Sequence, residues 1–172
     1  MATSTNNPLP PAGTYEIDPA GSTVAFDTRA MFGLFPVRGT FTIVRGQIVV
    51  AEPAEESSVH VVIEAGSFQS GSAQRDHHVR SPDYLNVDRH PEIDFRSRKL
   101  ERSGSNASLH GDLTVCGAAQ PVSVTLTNVV HQDECITAGG VATIDRYAFG
   151  VTKAKGMTGR HLNISLEIVA HR

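Results

Sequence analysis

Apolar and polar residues alternate with period two in eight stretches of the chain, and short turns separate nearly all of them. Val24, Phe26, Thr28 and Ala30 share one side of the first long stretch; Val37, Gly39, Phe41 and Ile43 share one side of the next. The pattern runs on through Val59, Val61, Ile63 and Ala65, through Ile93, Phe95 and Ser97, and through Leu109, Gly111, Leu113 and Val115. It continues in Val122, Val124 and Leu126, in Val141, Thr143 and Asp145, and in Leu162, Ile164, Leu166 and Ile168. Successive side chains of a strand point to opposite faces, so each stretch reads as a strand with one wet and one dry face. Eight in a row predict an all-β fold, an antiparallel up-and-down sheet closed on itself around an interior that must be filled.

The punctuation fits. Pro53 with Ala54 to Ser57, Arg102 to Asn106, Gly117 to Gln120 and Gln132 to Glu134 read as turns. The apolar phase changes by one residue at Gly46, from odd positions to Ile48 and Val50, which predicts a bulge there. The long connection from Phe68 to Pro91 predicts a short helix, capped by Ser72 and closed off by Pro82. Residues 1–12 read as a flexible N-terminal arm and residues 13–172 as one barrel domain.

If every connection reverses direction, the loops sort into two ends. The upper end holds Met31 to Pro36, Gly66 to Pro91, Gly117 to Gln120 and Phe149 to Arg160. It sets Met31, Phe32, Leu34 and Phe35 beside Arg38, Arg75, Arg80, Lys153, Lys155 and Arg160. The lower end holds short turns with Glu52, Glu55, Glu56, Glu101, Asp133 and Glu134. An apolar rim mixed with cations on long loops suits the mouth of a site for an amphiphilic anion. The net charge of −3 over 172 residues disfavours nucleic acid. No run of eighteen apolar residues occurs, which disfavours stable membrane insertion. The start lacks the pattern of a signal peptide, so a cytoplasmic protein is expected, or a secreted or periplasmic one if a leader was removed. Cys116 and Cys135 fall at opposite ends of the sheet and are expected to be free thiols.

Several ordered segments resemble one family. They are Thr14-Tyr15-Glu16-Ile17-Asp18-Pro19, Val37-Arg38-Gly39-Thr40-Phe41, Arg75-Asp76-His77-His78-Val79-Arg80-Ser81 and His90-Pro91-Glu92-Ile93-Asp94-Phe95-Arg96-Ser97. Gly111-Asp112-Leu113-Thr114-Val115 with Gly117, and Ile144-Asp145-Arg146-Tyr147-Ala148-Phe149-Gly150, complete the set. Together, over about Gly13 to Ala170, the chain resembles the YceI family of lipocalin-like polyisoprenoid-binding proteins. The resemblance implies an extended eight-stranded barrel with a helix in the long connection, and an apolar interior that takes a polyprenyl chain, an isoprenoid phosphate or a quinone. Tyr15 stands where the family commonly has Trp, and Gly156 to His161 is more basic than the usual lead-in to the last strand.

The candidate ligand-binding residues follow. Phe26, Phe41, Phe68, Tyr84, Leu85, Phe95, Leu113 and Phe149 would line the interior, and the small residues Ala30 and Gly111 would keep it hollow. Met31, Phe35, Arg38, Asp76 and His77 would form the mouth. The competing reading is that the aromatics plug the barrel. Asp145, in phase with Val141, would face inward and need a partner such as Arg38. Asp76, His77 and His78 raise a metal site, but adjacent histidines on a helix diverge by roughly 100°. No cofactor is expected, and no catalytic motif is recognisable: there is no Gly-x-Ser-x-Gly elbow and no phosphate loop. The expected function is binding, transport or storage of an amphiphilic isoprenoid lipid. The alternative is an enzyme or stress-response protein acting on a small apolar substrate at the mouth. The candidate partners are an isoprenoid or other apolar small molecule and a second copy of the chain.

Overall fold

The alternating stretches are the strands of one closed sheet. The computed structural model describes residues 9–104 and 106–172. In chain order the elements are β1 (Gly13–Ile17), β2 (Thr23–Ala30), β3 (Phe35–Val50), β4 (Ser58–Gln69), α1 (Ala73–Arg80), β5 (Glu92–Ser103), β6 (Asn106–Val115), β7 (Ala118–Gln132), β8 (Cys135–Asp145) and β9 (His161–His171). From β2 to β9 each strand pairs antiparallel with the next, and β9 pairs back to β2. The result is the expected eight-stranded up-and-down barrel with one helix in the long connection.

A ninth strand was not among the eight stretches. β1 and β2 run in the same direction and share the slot between β3 and β9: Gly13 lies opposite Val50 and Ile17 opposite Ala170, while Ala30 lies opposite Phe35 and Val24 opposite Leu166. The break between them falls at Asp18-Pro19. The Asp18 carboxylate accepts from Ala20 N–H at 3.0 Å, and Asp18 N–H donates to the Val169 carbonyl at 2.7 Å. β1 helps close the lower end. Tyr15 is 1 % exposed and packs with Ile17, Val24, Ile43, Val61, Ile136, Ile168 and Ala170. Its hydroxyl donates to the Pro11 carbonyl at 2.8 Å, and Pro10 is buried. Of the predicted arm, residues 1–8 lie outside the described residues, as does Ser105 of the predicted turn.

Helix α1 begins as its sequence predicts. The Ser72 side chain accepts from Arg75 N–H at 3.3 Å, and the helix stops at Ser81, just before Pro82. Two other expectations need correction. The register of β3 against β4 shifts between Thr40 and Thr42 and again at Val44, not at Gly46. Gly46 is required for another reason: a Cβ there would lie 2.6 Å from Ile17 Cδ1 and 2.9 Å from the His60 carbonyl oxygen. In β8 the inward positions are Ala138, Gly140, Ala142 and Ile144, whereas Val141 is 42 % exposed. The inward face of β8 is built from alanine and glycine, so its hydrophobic contrast points the wrong way.

Candidate functional site

Between the lower core and the loops above lies a cavity of about 390 Å³. Its wall is made by the dry faces of the barrel strands, among them Ile48, Val59, Ile93, Leu109, Val124, Ala138 and Leu166. Phe41, Phe95, Leu113 and Ala138 face the axis yet stay partly exposed, since the surface they show is that of the hollow. The aromatics therefore line the barrel without filling it. Phe26, Phe41 and Phe68 form a cluster with ring centroids 5.2–5.9 Å apart. Gly39 makes this cluster fit, because a Cβ there would lie 2.5 Å from the Phe26 ring.

Of the predicted site residues, Phe26, Ala30, Phe41, Phe68, Tyr84, Leu85, Phe95, Leu113 and Phe149 line this cavity. The others lie elsewhere. Met31 and Phe35 are exposed on the β2–β3 hairpin, and Arg38 is exposed opposite Asp27. Asp76 is buried and accepts from Ser70 N–H at 3.0 Å and Ser70 Oγ at 2.6 Å, so it fastens α1 to the end of β4. His77 faces solvent. Gly111 is buried on the inward side, but a Cβ there would press on the β5 backbone, 2.8 Å from Ser97 Cα. Among the described residues no three His, Cys, Asp or Glu side chains are grouped to hold a metal.

The polar groups on the cavity wall belong to its upper part: Thr28, Arg75, His78, Tyr84, Arg146 and Thr158. Arg146 is the buried cation among them. It is 5 % exposed, and its Nε, Nη1 and Nη2 donate to the carbonyls of Gly159, Val151 and Thr158 at 2.8, 2.8 and 3.1 Å. Its guanidinium carbon lies 4.9 Å from the Tyr147 ring centroid. Carbonyl dipoles and ring faces, not a carboxylate, compensate this buried charge. Asp145 does not face inward and does not meet Arg38. It lies at the rim, where Arg160 Nε and Nη2 donate to its two oxygens at 3.0 and 2.9 Å and hold its carboxyl below the usual carboxylate range. At the same rim His78 Nε2 lies 3.0 Å from Asp83 Oδ2, and the hydrogen bond lowers the Asp83 pKa.

Cys116 and Cys135 are both free thiols. The Cys116 Sγ donates to the carbonyls of Tyr84 and Leu85 at 3.4 and 3.2 Å, and burial pushes its pKa up. The thiolate is the reactive form. Alkylation of native Cys116 by iodoacetamide at neutral pH should therefore run about tenfold or more slower than in urea-unfolded protein. Timed peptide mapping measures this; equal rates would mean that the connection carrying Tyr84 and Leu85 does not cover the thiol.

The barrel and its hollow have counterparts among known proteins. The crystal structure of Burkholderia cenocepacia BcnA superposes with a TM-score of 0.79 at 25% identity, covering 89% of this chain and 98% of that one. A Saccharophagus degradans structure, described as a polyisoprenoid binding domain implicated in plant cell wall breakdown, superposes with a TM-score of 0.71 at 14% identity, covering 91% and 97%. In sequence, a UPF0312 protein of Photorhabdus laumondii is 35% identical over 114 residues, a match that spans 64% of this chain and 59% of that protein. Residues 15–170, nearly the whole barrel with most of β1, match the YceI-like domain, and the chain belongs to that family.

Proposed function

We propose that the protein binds, and so carries or stores, an isoprenoid lipid, with the chain in the barrel and its polar end among Arg75, His78, Tyr84 and Arg146. The observation that carries this reading is the cavity of about 390 Å³, apolar along the barrel and polar at its upper end. Its volume falls in the range of roughly 300–1,000 Å³ typical of small-ligand sites. Each methylene-sized group moved from water into such a wall contributes ~0.8 kcal/mol, so an unbranched or prenyl tail gains affinity without a charged contact. The family membership supports the reading, as does the Saccharophagus degradans relative described as binding polyisoprenoids.

The reading is of a binder, without turnover. Of the three acid–base candidates that an enzyme at the mouth would use, His77 is exposed and Asp76 is committed to Ser70, while His78, on the cavity wall, is paired with Asp83. Native mass spectrometry, followed by organic extraction of the purified protein, tests it. The expected result is a bound apolar molecule, or stoichiometric uptake of an added prenyl alcohol. A protein that emerges empty and refuses the prenyl alcohol overturns the proposal.

A further inference from the structure

The upper end of the barrel carries an apolar prominence that folding does not explain. On the β2–β3 hairpin Phe32 is 78 % exposed, Leu34 73 % and Phe35 55 %, and Met31 beside them is 45 % exposed. The turn is not loose. Met31 N–H and Phe32 N–H donate to the carbonyls of Met157 and Gly156 at 2.6 and 2.7 Å, which binds the hairpin to the β8–β9 connection. Met31 and Phe32 hold φ of 50° and 58°, left-handed values that bulky residues rarely adopt. Strained backbone thus presents large apolar side chains mostly to water, with one edge of the Phe32 ring lying over Gly156.

Cations surround this tip. Residues 28–40 and 150–160 hold Arg29, Arg38, Lys153, Lys155 and Arg160 and no acidic residue. Arg160 is matched by Asp145, Lys153 lies 4.0 Å from Asp83, and Asp27 stands opposite Arg38 in the ladder. Arg29 and Lys155 make no ion pair among the described residues, bonding instead to the Gly33 carbonyl and lying over the Tyr147 ring. At the opposite end, residues 51–57 hold Glu52, Glu55 and Glu56 with no cation. A chain of net charge −3 therefore turns its positive end toward the side where its apolar tip protrudes.

We propose that this tip docks on an anionic lipid bilayer, with Phe32, Leu34 and Phe35 entering the interface and the cations meeting headgroups. The attachment is peripheral, since no helix among the described residues is long and apolar enough to cross a membrane. A protein partner fits less well, because a stable interface takes roughly 20–30 residues a side and the tip is one convex turn. The docking also serves the proposed cargo, and in that respect rests on that reading. Ala30 and Thr158 line the cavity, and the chain neighbours of each, Met31 and Met157, are exposed at the tip.

Flotation of the whole chain with phosphatidylcholine vesicles, with and without phosphatidylglycerol, tests the docking. Binding is expected with phosphatidylglycerol and should weaken as salt rises. In the Phe32→Asp, Leu34→Asp double variant it should fall about tenfold or more. Aspartate tolerates left-handed backbone, so that variant should fold; an unchanged melting temperature and unchanged uptake of a prenyl alcohol from detergent verify it. Lys155→Glu should weaken only the anionic-vesicle binding. Wild-type protein that does not float with anionic vesicles, or a double variant that floats as well as wild type, overturns the proposal. So does a tip that merely joins two copies, seen as a dimer that the double variant dissolves without any vesicle binding. Vesicle binding without prenyl uptake would leave the docking intact and remove the cargo.

Discussion

Replacing Ala138 with phenylalanine is expected to empty the barrel of its lipid and to raise its melting temperature. Ala138 faces the cavity from β8 and keeps partial exposure there, beside the core around Tyr15 and Ile17. A ring at this position takes up volume that the lipid tail would occupy, so uptake of a prenyl alcohol should fall at least about tenfold. Filling empty space recovers contacts that a hollow forgoes, at ~24 cal/mol per Å³, which amounts to about 1–2 kcal/mol for part of a ring. In a chain of this size that raises the melting temperature by roughly 2–8 °C. Ala142→Phe, two positions along the same face, should act in the same direction. Gly111→Leu should not. A Cβ at Gly111 meets the Arg96 carbonyl and Ser97 Cα of the neighbouring strand, so any side chain there parts β5 from β6 and destabilises the barrel before reaching the cavity. Calorimetry and a displacement assay on the three variants separate these outcomes. Full uptake by a folded, more stable Ala138→Phe protein would place the ligand outside the cavity.

The contrast between Ala138 and Gly111 also marks how far the sequence could be read. Alternation identified eight barrel strands and most of their dry faces, because in those strands the inward residues are larger and more apolar than the outward ones. Phe26, Phe41, Phe95 and Leu113 were legible for that reason. A hollow reverses the rule where it needs room. β8 turns Ala138, Gly140 and Ala142 inward and Val141 outward, so its phase and the setting of Asp145 were read the wrong way. Gly111 shows the other side of this: a glycine on the dry face is not always spare room, since its missing Cβ is a close approach between backbones. Partners across the chain were the least legible. Arg160, not Arg38, meets Asp145, and the alternation on β2, β3 and β8 carries no information about which loop folds over the rim. β1 escaped because Asp18-Pro19 splits one barrel edge into two short pieces, the first of them only five residues long.

Arg146→Met is expected to cost about 3 kcal/mol of stability, and to loosen the upper rim before the barrel unfolds. The arginine spreads three donors over the carbonyls of Val151, Thr158 and Gly159, which come from both halves of the β8–β9 connection. Methionine keeps the apolar stem but leaves three acceptors without donors. Each buried one costs ~1–3 kcal/mol if it stays dry, and water reaching the rim recovers part of that. Arg146→Lys should fall between, because one ammonium cannot fan out to three carbonyls as a planar guanidinium does. The adjoining Asp145→Asn should cost far less, since its pair with Arg160 is half in water and screened by solvent. Two neighbours in sequence thus carry opposite weights: the ion pair that looks strong is minor, and the cation with no carboxylate holds the rim. Urea unfolding ranks the variants. Amide exchange over residues 150–160 should then accelerate in Arg146→Met while the strands stay protected, and the bound lipid should be released faster, as the rim over the cavity opens more often. An Arg146→Met protein as stable as wild type, with exchange unchanged in that connection, would show that the remaining bonds, among them Met31 and Phe32 N–H to Met157 and Gly156 and Tyr84 to Thr158, hold the rim without the guanidinium.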